Sequence, residues 1–194
     1  MSGSNFSDHY QGSAGDDNFN PDVAGDRYTP GPISGSADTL DGGAGNDTVS
    51  YQNAKEFEGI VGIVANLSEN RILDNGGIID TVVSFENVNG SNLDDDITGD
   101  ATENVLRGLG GNDFISGAGG NDVLNGMEGV DTIIGGSGSD SIDGGAGEDL
   151  LDYSSSPSQI ILDSSDGEAT DGFGDSDTFR NVESFVGSAF DDVL

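Results

Sequence analysis

The sequence predicts an all-β protein: a parallel β-roll, a flattened solenoid of stacked nine-residue turns, carrying β-rich insertions. Three observations predict it. From Gly90 to Asp152 the chain divides without remainder into seven nine-residue units. Glycine opens all seven, and Ile or Leu holds position eight in every one. Position six is aspartate in six of them and Asn104 in the other. A fixed short period of this kind marks a repeat architecture.

Composition narrows the class. Among 194 residues, 37 are acidic and 5 basic, a formal net charge of −32. Such a charge repels phosphate backbones and anionic headgroups, so neither nucleic acid nor a membrane surface is an expected partner. No stretch approaches the roughly 20 apolar residues of a membrane span. There is no cysteine and one histidine, His9, which removes thiolate chemistry and nearly every zinc or Ser/His arrangement. No H-E-x-x-H or P-loop lysine pattern is present, so no catalytic constellation is expected. With 32% hydrophobic residues the composition alone predicts disorder. The acids, however, are 28 Asp against 9 Glu. The short aspartate arm suits turns and rigid oxygen cages. The composition therefore raises the question of whether something divalent and positive completes the protein.

The units read GSNLDDDIT (90–98), GDATENVLR (99–107), GLGGNDFIS (108–116), GAGGNDVLN (117–125), GMEGVDTII (126–134), GGSGSDSID (135–143) and GGAGEDLLD (144–152). Glycines at positions one, two and four permit cramped or left-handed backbone and let carbonyls crowd inward. A carboxylate at position six can meet those carbonyls around a hard cation. Calcium takes 6–8 oxygens at about 2.3–2.6 Å in flexible geometry, which suits such a set better than it suits magnesium. Positions seven to nine make a minimal strand whose middle side chain points inward. Two units then form one coil, and each unit stacks on the next but one, about 4.7–4.9 Å away. Asp113, Asp131 and Asp149 fall on one edge, Asp122 and Asp140 on the other. Ile and Leu from the two faces meet in a thin core.

The pattern G-G-x-G-x-D-x-U-x resembles the calcium-binding nonapeptide of the RTX (repeats-in-toxin, hemolysin-type) family. Residues 42–50 (GGAGNDTVS), 135–143 and 144–152 match best; units 108, 117 and 126 lose the second glycine, and units 90 and 99 also lose the fourth. The resemblance implies a right-handed parallel β-roll with Ca2+ as its ligand, several ions between turns, roughly three to six. The metal-ligating candidates are Asp113, Asp122, Asp131, Asp140 and Asp149, the opening glycines Gly108, Gly117, Gly126, Gly135 and Gly144, and Asn112 and Asn121. Asp38, Asp47 and Asp95 join them from the flanking units. The resemblance further implies a secreted or cell-surface bacterial protein exported by type I secretion. No Sec-type signal opens the chain.

The same grammar recurs outside the seven units. Residues 33–41 (ISGSADTLD) keep Asp38 and Leu40, and 12–20 (GSAGDDNFN) offer Asp17 and Phe19. Pro21, Pro30 and Pro32 mark 21–32 as a loop or insertion. Two longer segments resemble each other, since 80–97 and 177–194 share seven of 18 positions. Strands are expected near 60–67, 78–88, 158–163 and 178–186, with a turn at Asn75-Gly76-Gly77. The acidic stretch Asp163–Asp177 reads as a solvated loop, and Tyr51 and Tyr153 as strand-capping packing residues. Gly187, Asp192 and Leu194 open a further unit, so a piece of a longer array is expected.

The organisation is therefore a repeat block at 1–50, a β-rich segment at 51–89, the seven-unit roll at 90–152 and a second inter-repeat segment at 153–194. The expected function is a non-catalytic calcium-binding module that folds on extracellular Ca2+ and spaces other domains of a larger protein. The alternative is an adhesin segment or a carbohydrate-binding accessory like the R-modules of alginate epimerases. That role calls for a basic or aromatic strip, and the cations Arg27, Lys55, Arg71, Arg107 and Arg180 are widely spaced. A glycan partner is unsupported.

Overall fold

The structure is a computed structural model that describes residues 39–52 and 61–193, Ala37, and the backbone of 9–11 and 18–19. Within it every regular element is a strand. The first four are β1 (His9–Gln11), β2 (Asn18–Phe19), β3 (Thr39–Asp41) and β4 (Thr48–Ser50). The first insertion gives β5 (Val64–Asn66), β6 (Arg71–Leu73), β7 (Ile79–Val83) and β8 (Asn87–Asn89). The seven units give β9 (Asp96–Thr98), β10 (Val105–Gly110), β11 (Phe114–Gly119), β12 (Val123–Glu128), β13 (Thr132–Ser137), β14 (Ser141–Ala146) and β15 (Leu150–Asp152). The second insertion gives β16 (Ile161–Asp163), β17 (Glu168–Thr170), β18 (Ser176–Arg180) and β19 (Ser184–Val186).

Successive units alternate between two sheets, one of ten strands and one of nine. Pairing is parallel with an offset of two units: Ile115 sits beside Ile133, and Leu106 beside Leu124. The strands β10 to β14 are six residues long, not three, because pairing continues through the opening glycine into the next turn, as in Leu109 beside Met127. Side-chain alternation then sends position eight inward. Ile97, Leu106, Ile115, Leu124, Ile133 and Leu151 are fully buried and Ile142 nearly so. Each contributes about 1.5–3 kcal/mol of apolar burial. The core is therefore one file of aliphatic side chains from each sheet.

The insertions are antiparallel meanders spliced into the parallel stack. In the ten-stranded sheet, β5, β6 and β7 pair antiparallel in that order, flanked by parallel β9 and β3. In the nine-stranded sheet, β16, β17 and β18 do the same, with β18 parallel to β14. The expected continuous strand at 78–88 is instead two strands on different sheets, turned at Ser84, whose φ is 58°. Asn181, with φ 51°, turns the corresponding corner between β18 and β19. The Asp163–Asp177 stretch is likewise not a solvated loop: it contains β17, and Asp171 and Asp177 are buried.

Candidate metal centre

Each nine-residue unit places its turn at one edge of the roll, and the position-six aspartates stack there at intervals of 18 residues. All five of Asp113, Asp122, Asp131, Asp140 and Asp149 are buried. One oxygen of each carboxylate has the same kind of partner, a backbone N–H one coil earlier. Asp95 N–H donates to Asp113 Oδ1, Asp113 N–H to Asp131 Oδ1 and, on the other edge, Asn104 N–H to Asp122 Oδ1, all at 2.8 Å. Asp122 N–H donates to Asp140 Oδ1 and Asp131 N–H to Asp149 Oδ1 at 2.9 Å. The second oxygen, Oδ2, has no hydrogen-bond partner in any of the five. A buried acceptor without a partner costs about 1–3 kcal/mol, more when charged.

The turn backbone explains why no donor reaches Oδ2. In all five turns from 108 to 149, positions two and four have positive φ, from 71° at Ala118 to 157° at Gly147. Positions one and two are also where carbonyls converge. A Cβ at Gly126 would meet Asp131 Oδ2 and, at 2.5 Å, the Gly144 carbonyl of the next coil. At Gly117 it would meet Asp122 Oδ2 and the Gly135 carbonyl, again at 2.5 Å. At Gly108 it would meet Asp113 Oδ2 and, at 3.0 Å, the Gly126 carbonyl. A glycine is needed at this position because oxygens of two successive turns share the space a side chain would fill.

Turns 90 and 99 are built differently. Neither has a left-handed residue. The Ser91 N–H donates to Asp95 Oδ2 at 2.6 Å, while Ile63 N–H and Ser91 Oγ donate to Oδ1 at 2.7 and 2.8 Å. In turn 99, Asn104 Oδ1 accepts from Asp100 N–H at 2.8 Å, and its Nδ2 donates to the Glu86 carbonyl at 3.0 Å. In both turns a backbone N–H of position two donates to the position-six side chain. Asn112 and Asn121 hold the ladder together: each accepts, through Oδ1, the N–H of the residue one coil later, Val130 and Ser139, at 2.9 Å. Asp47 is buried in a turn with left-handed Gly43 and Gly45, and Glu86 accepts from its N–H at 2.8 Å. Asp38, Asp17 and the 21–32 segment lie outside the described residues.

Residues without the nonapeptide phase extend both columns. Asp140 N–H donates to Asp177 Oδ1, and Asp149 N–H to Glu183 Oε2, both at 2.9 Å. Tyr153, buried as expected of a packing residue, donates its hydroxyl to Asp177 Oδ2 at 2.9 Å. Tyr51 makes the matching bond to Asp80 at 3.4 Å. The 80–97 and 177–194 likeness carries the signal for these residues, since Asp80, Glu86 and Asp95 align with Asp177, Glu183 and Asp192.

Burial sets the electrostatics. It pushes the Asp113 carboxyl up to about 8, Asp122 and Asp140 to about 7, and Asp131 to about 6. Neighbouring carboxylates add to the rise, and the inter-coil N–H bonds oppose it. Among the described residues no three acidic or imidazole side chains converge. The donor set is one carboxylate oxygen with backbone carbonyls, all hard oxygen. Such a set suits Ca2+, which accepts carbonyls and irregular geometry, and gives nothing to a thiolate- or imidazole-seeking metal.

A nonapeptide repeat, a two-sheet parallel roll and stacked carboxylate turns together define a calcium-binding repeat module. The family model of the RTX calcium-binding nonapeptide repeat matches in four copies, at residues 2–20, 34–51, 89–124 and 125–155, more than half of the chain. The chain belongs to this family, whose members bind calcium. No curated protein matches it.

Proposed function

We propose that the chain is a non-catalytic module of a secreted protein that becomes compact when Ca2+ enters between its turns, and that it thereby orders and spaces the domains beside it. The observation that carries this reading is the set of five buried, partnerless Oδ2 atoms on the two edges. Ions between turns 108 and 126, 117 and 135, and 126 and 144 would be held by Asp113, Asp122 and Asp131 with the opening-glycine carbonyls of the following coil. The turn at Asp47 is assigned the same role on its left-handed glycines, and Asp38 remains a candidate from sequence. Asp95 is assigned instead as a hydrogen-bonded strut, and Asn112 and Asn121 as ladder residues.

At an extracellular-type affinity near 10⁻⁴ M, each ion adds about 1.4 kcal/mol at millimolar calcium. Metal binding is then part of folding. In a cytosol poor in free calcium the charge of −32 keeps the chain expanded, as export requires. Calcium titration followed by circular dichroism and calorimetry tests the reading. The β signal is expected to grow with added calcium and to vanish on chelation, with several ions bound. A native-like β signal in excess chelator, with no heat of binding at millimolar calcium, would overturn it.

A further inference from the structure

We propose that a calcium-class divalent cation binds between Asp140 and Asp171, where the last repeat turn of one edge meets the second insertion, and that it clamps the β16–β18 meander to the roll. The site lies outside the nonapeptide pattern, because Asp171 belongs to no repeat unit.

Residues 171–177 occupy the place of the next coil above turn 135–140. Gly138 N–H donates to Asp175 Oδ2 at 3.2 Å, Asp140 N–H to Asp177 Oδ1 at 2.9 Å and Thr178 N–H to the Asp140 carbonyl at 2.8 Å. Gly172 therefore stands where an opening glycine would. Its carbonyl is withheld, however, since it accepts from Ser158 Oγ at 2.7 Å. Around the Cβ position of Gly135 the three nearest atoms are accordingly all Asp140's own, with no carbonyl of a following coil among them. Asp140 Oδ2 is buried without a donor and without the carbonyl companion found at Gly117 and Gly126.

Asp171 supplies the replacement. Its Oδ1 accepts from the N–H groups of Phe173, Gly174 and Asp175 at 3.0, 2.8 and 2.8 Å, which fixes the carboxylate. Its Oδ2 is buried and partnerless, and the residue is 2% exposed. Asp175 ties the two turns together, because its N–H donates to Asp171 Oδ1 while its Oδ2 accepts from Gly138 N–H in the turn that ends at Asp140. Asp177 is not a competitor, because Tyr153 already donates to its Oδ2. Arg180 does not neutralise the pair, since its guanidinium is bound to Asp143 at 2.6 and 2.9 Å. Two orphaned carboxylate oxygens on separate elements call for a hard divalent ion.

The inference rests on the proposed reading of the turns only for the role of Asp140. Calcium is titrated calorimetrically into the full chain and into Asp171→Asn, Asp140→Asn and the double variant, with Asp131→Asn as the repeat-cage control. Each single variant is expected to lose one ion, and the double variant also one, because both side chains hold the same ion. A wild-type ion count in Asp171→Asn, or a loss of two in the double variant, overturns the site. Failure of the repeat reading looks different: Asp131→Asn then loses none. Asparagine keeps the Oδ1 acceptor of the 171 turn, so the fold should persist. Should Asp171→Asn not reach the wild-type β signal in calcium, Asp140→Asn decides alone through hydrogen exchange. Calcium-dependent protection of β17 amides is expected to be lost there, and its survival overturns the site.

Discussion

Two oxygens of one carboxylate do different work in this protein, and the Asp122 pair states the division clearly. Oδ1 accepts the Asn104 N–H and holds two coils in register; Oδ2 is left for a cation. An asparagine there should separate the two roles. In Asp122→Asn, Oδ1 keeps its bond while Nδ2 replaces the partnerless oxygen beside the Gly135 carbonyl, an arrangement like that of Asn104 with Glu86. The calcium-free protein is expected to gain about 1–2 kcal/mol, because a buried unpaired charge is gone. The calcium-loaded protein should lose one ion and the stability it conferred. The residual β signal in chelator reads the first sign, and chemical denaturation at saturating calcium reads the second. A second residue-scale prediction concerns Met127, a non-glycine with φ 79° and 39% exposure. Left-handed backbone costs such a residue about 1–2 kcal/mol. Met127→Gly should therefore raise the unfolding free energy of the calcium-loaded protein by up to about 1 kcal/mol once the added chain freedom of glycine is deducted, read by chemical denaturation.

At the scale of elements, the nonapeptide period made β9 to β15 readable in advance, because one glycine, one carboxylate and one aliphatic recur at fixed places. It also placed Asp113, Asp131 and Asp149 on one edge and Asp122 and Asp140 on the other. It could not place β6 or β17, three-residue strands whose sequences, RIL and EAT, have no period of their own. Those strands exist because the meanders supply neighbours on both sides. Nor did the period reveal Glu183 or Asp177 as column members, since the phase is broken before them and only three-dimensional stacking restores it. The orientation of Asp177 depends on Tyr153, whose hydroxyl bonds it inside the core. Tyr153→Phe removes that donor from a buried carboxylate and should cost about 1–3 kcal/mol. Hydrogen exchange should localise the weakening to β16–β18, leaving β10–β13 protected. Equal loss of protection along the whole roll would show that the hydroxyl does not act locally.

For the whole molecule, the buried columns make stability depend on pH in a direction opposite to that of most proteins. Asp113, Asp122 and Asp140 hold their protons up to about 7 or 8 when folded without metal, whereas an unfolded aspartate releases its proton near 3.9. Between those limits the folded state binds more protons than the unfolded one, so stability falls as pH rises from about 4 to about 8. Acid should therefore partly substitute for calcium. In calcium-stripped protein the β signal by circular dichroism is expected to be larger at pH 5 than at pH 8. Saturating calcium should flatten that difference, and calcium affinity should weaken as pH falls and protons compete for the same oxygens. A calcium-stripped β signal that grows with rising pH would contradict the burial of these carboxylates.

The two meanders lie 97 residues apart in equivalent places, Val64 corresponding to Ile161 and Ile79 to Ser176, yet they enter opposite sheets. Each lengthens its own wall by two strands, about 10 Å, while the facing wall gains none. Two such wedges on one side would lean the column steadily over. Driven in from alternate sides, the additions are shared between the walls, which end at ten and nine strands.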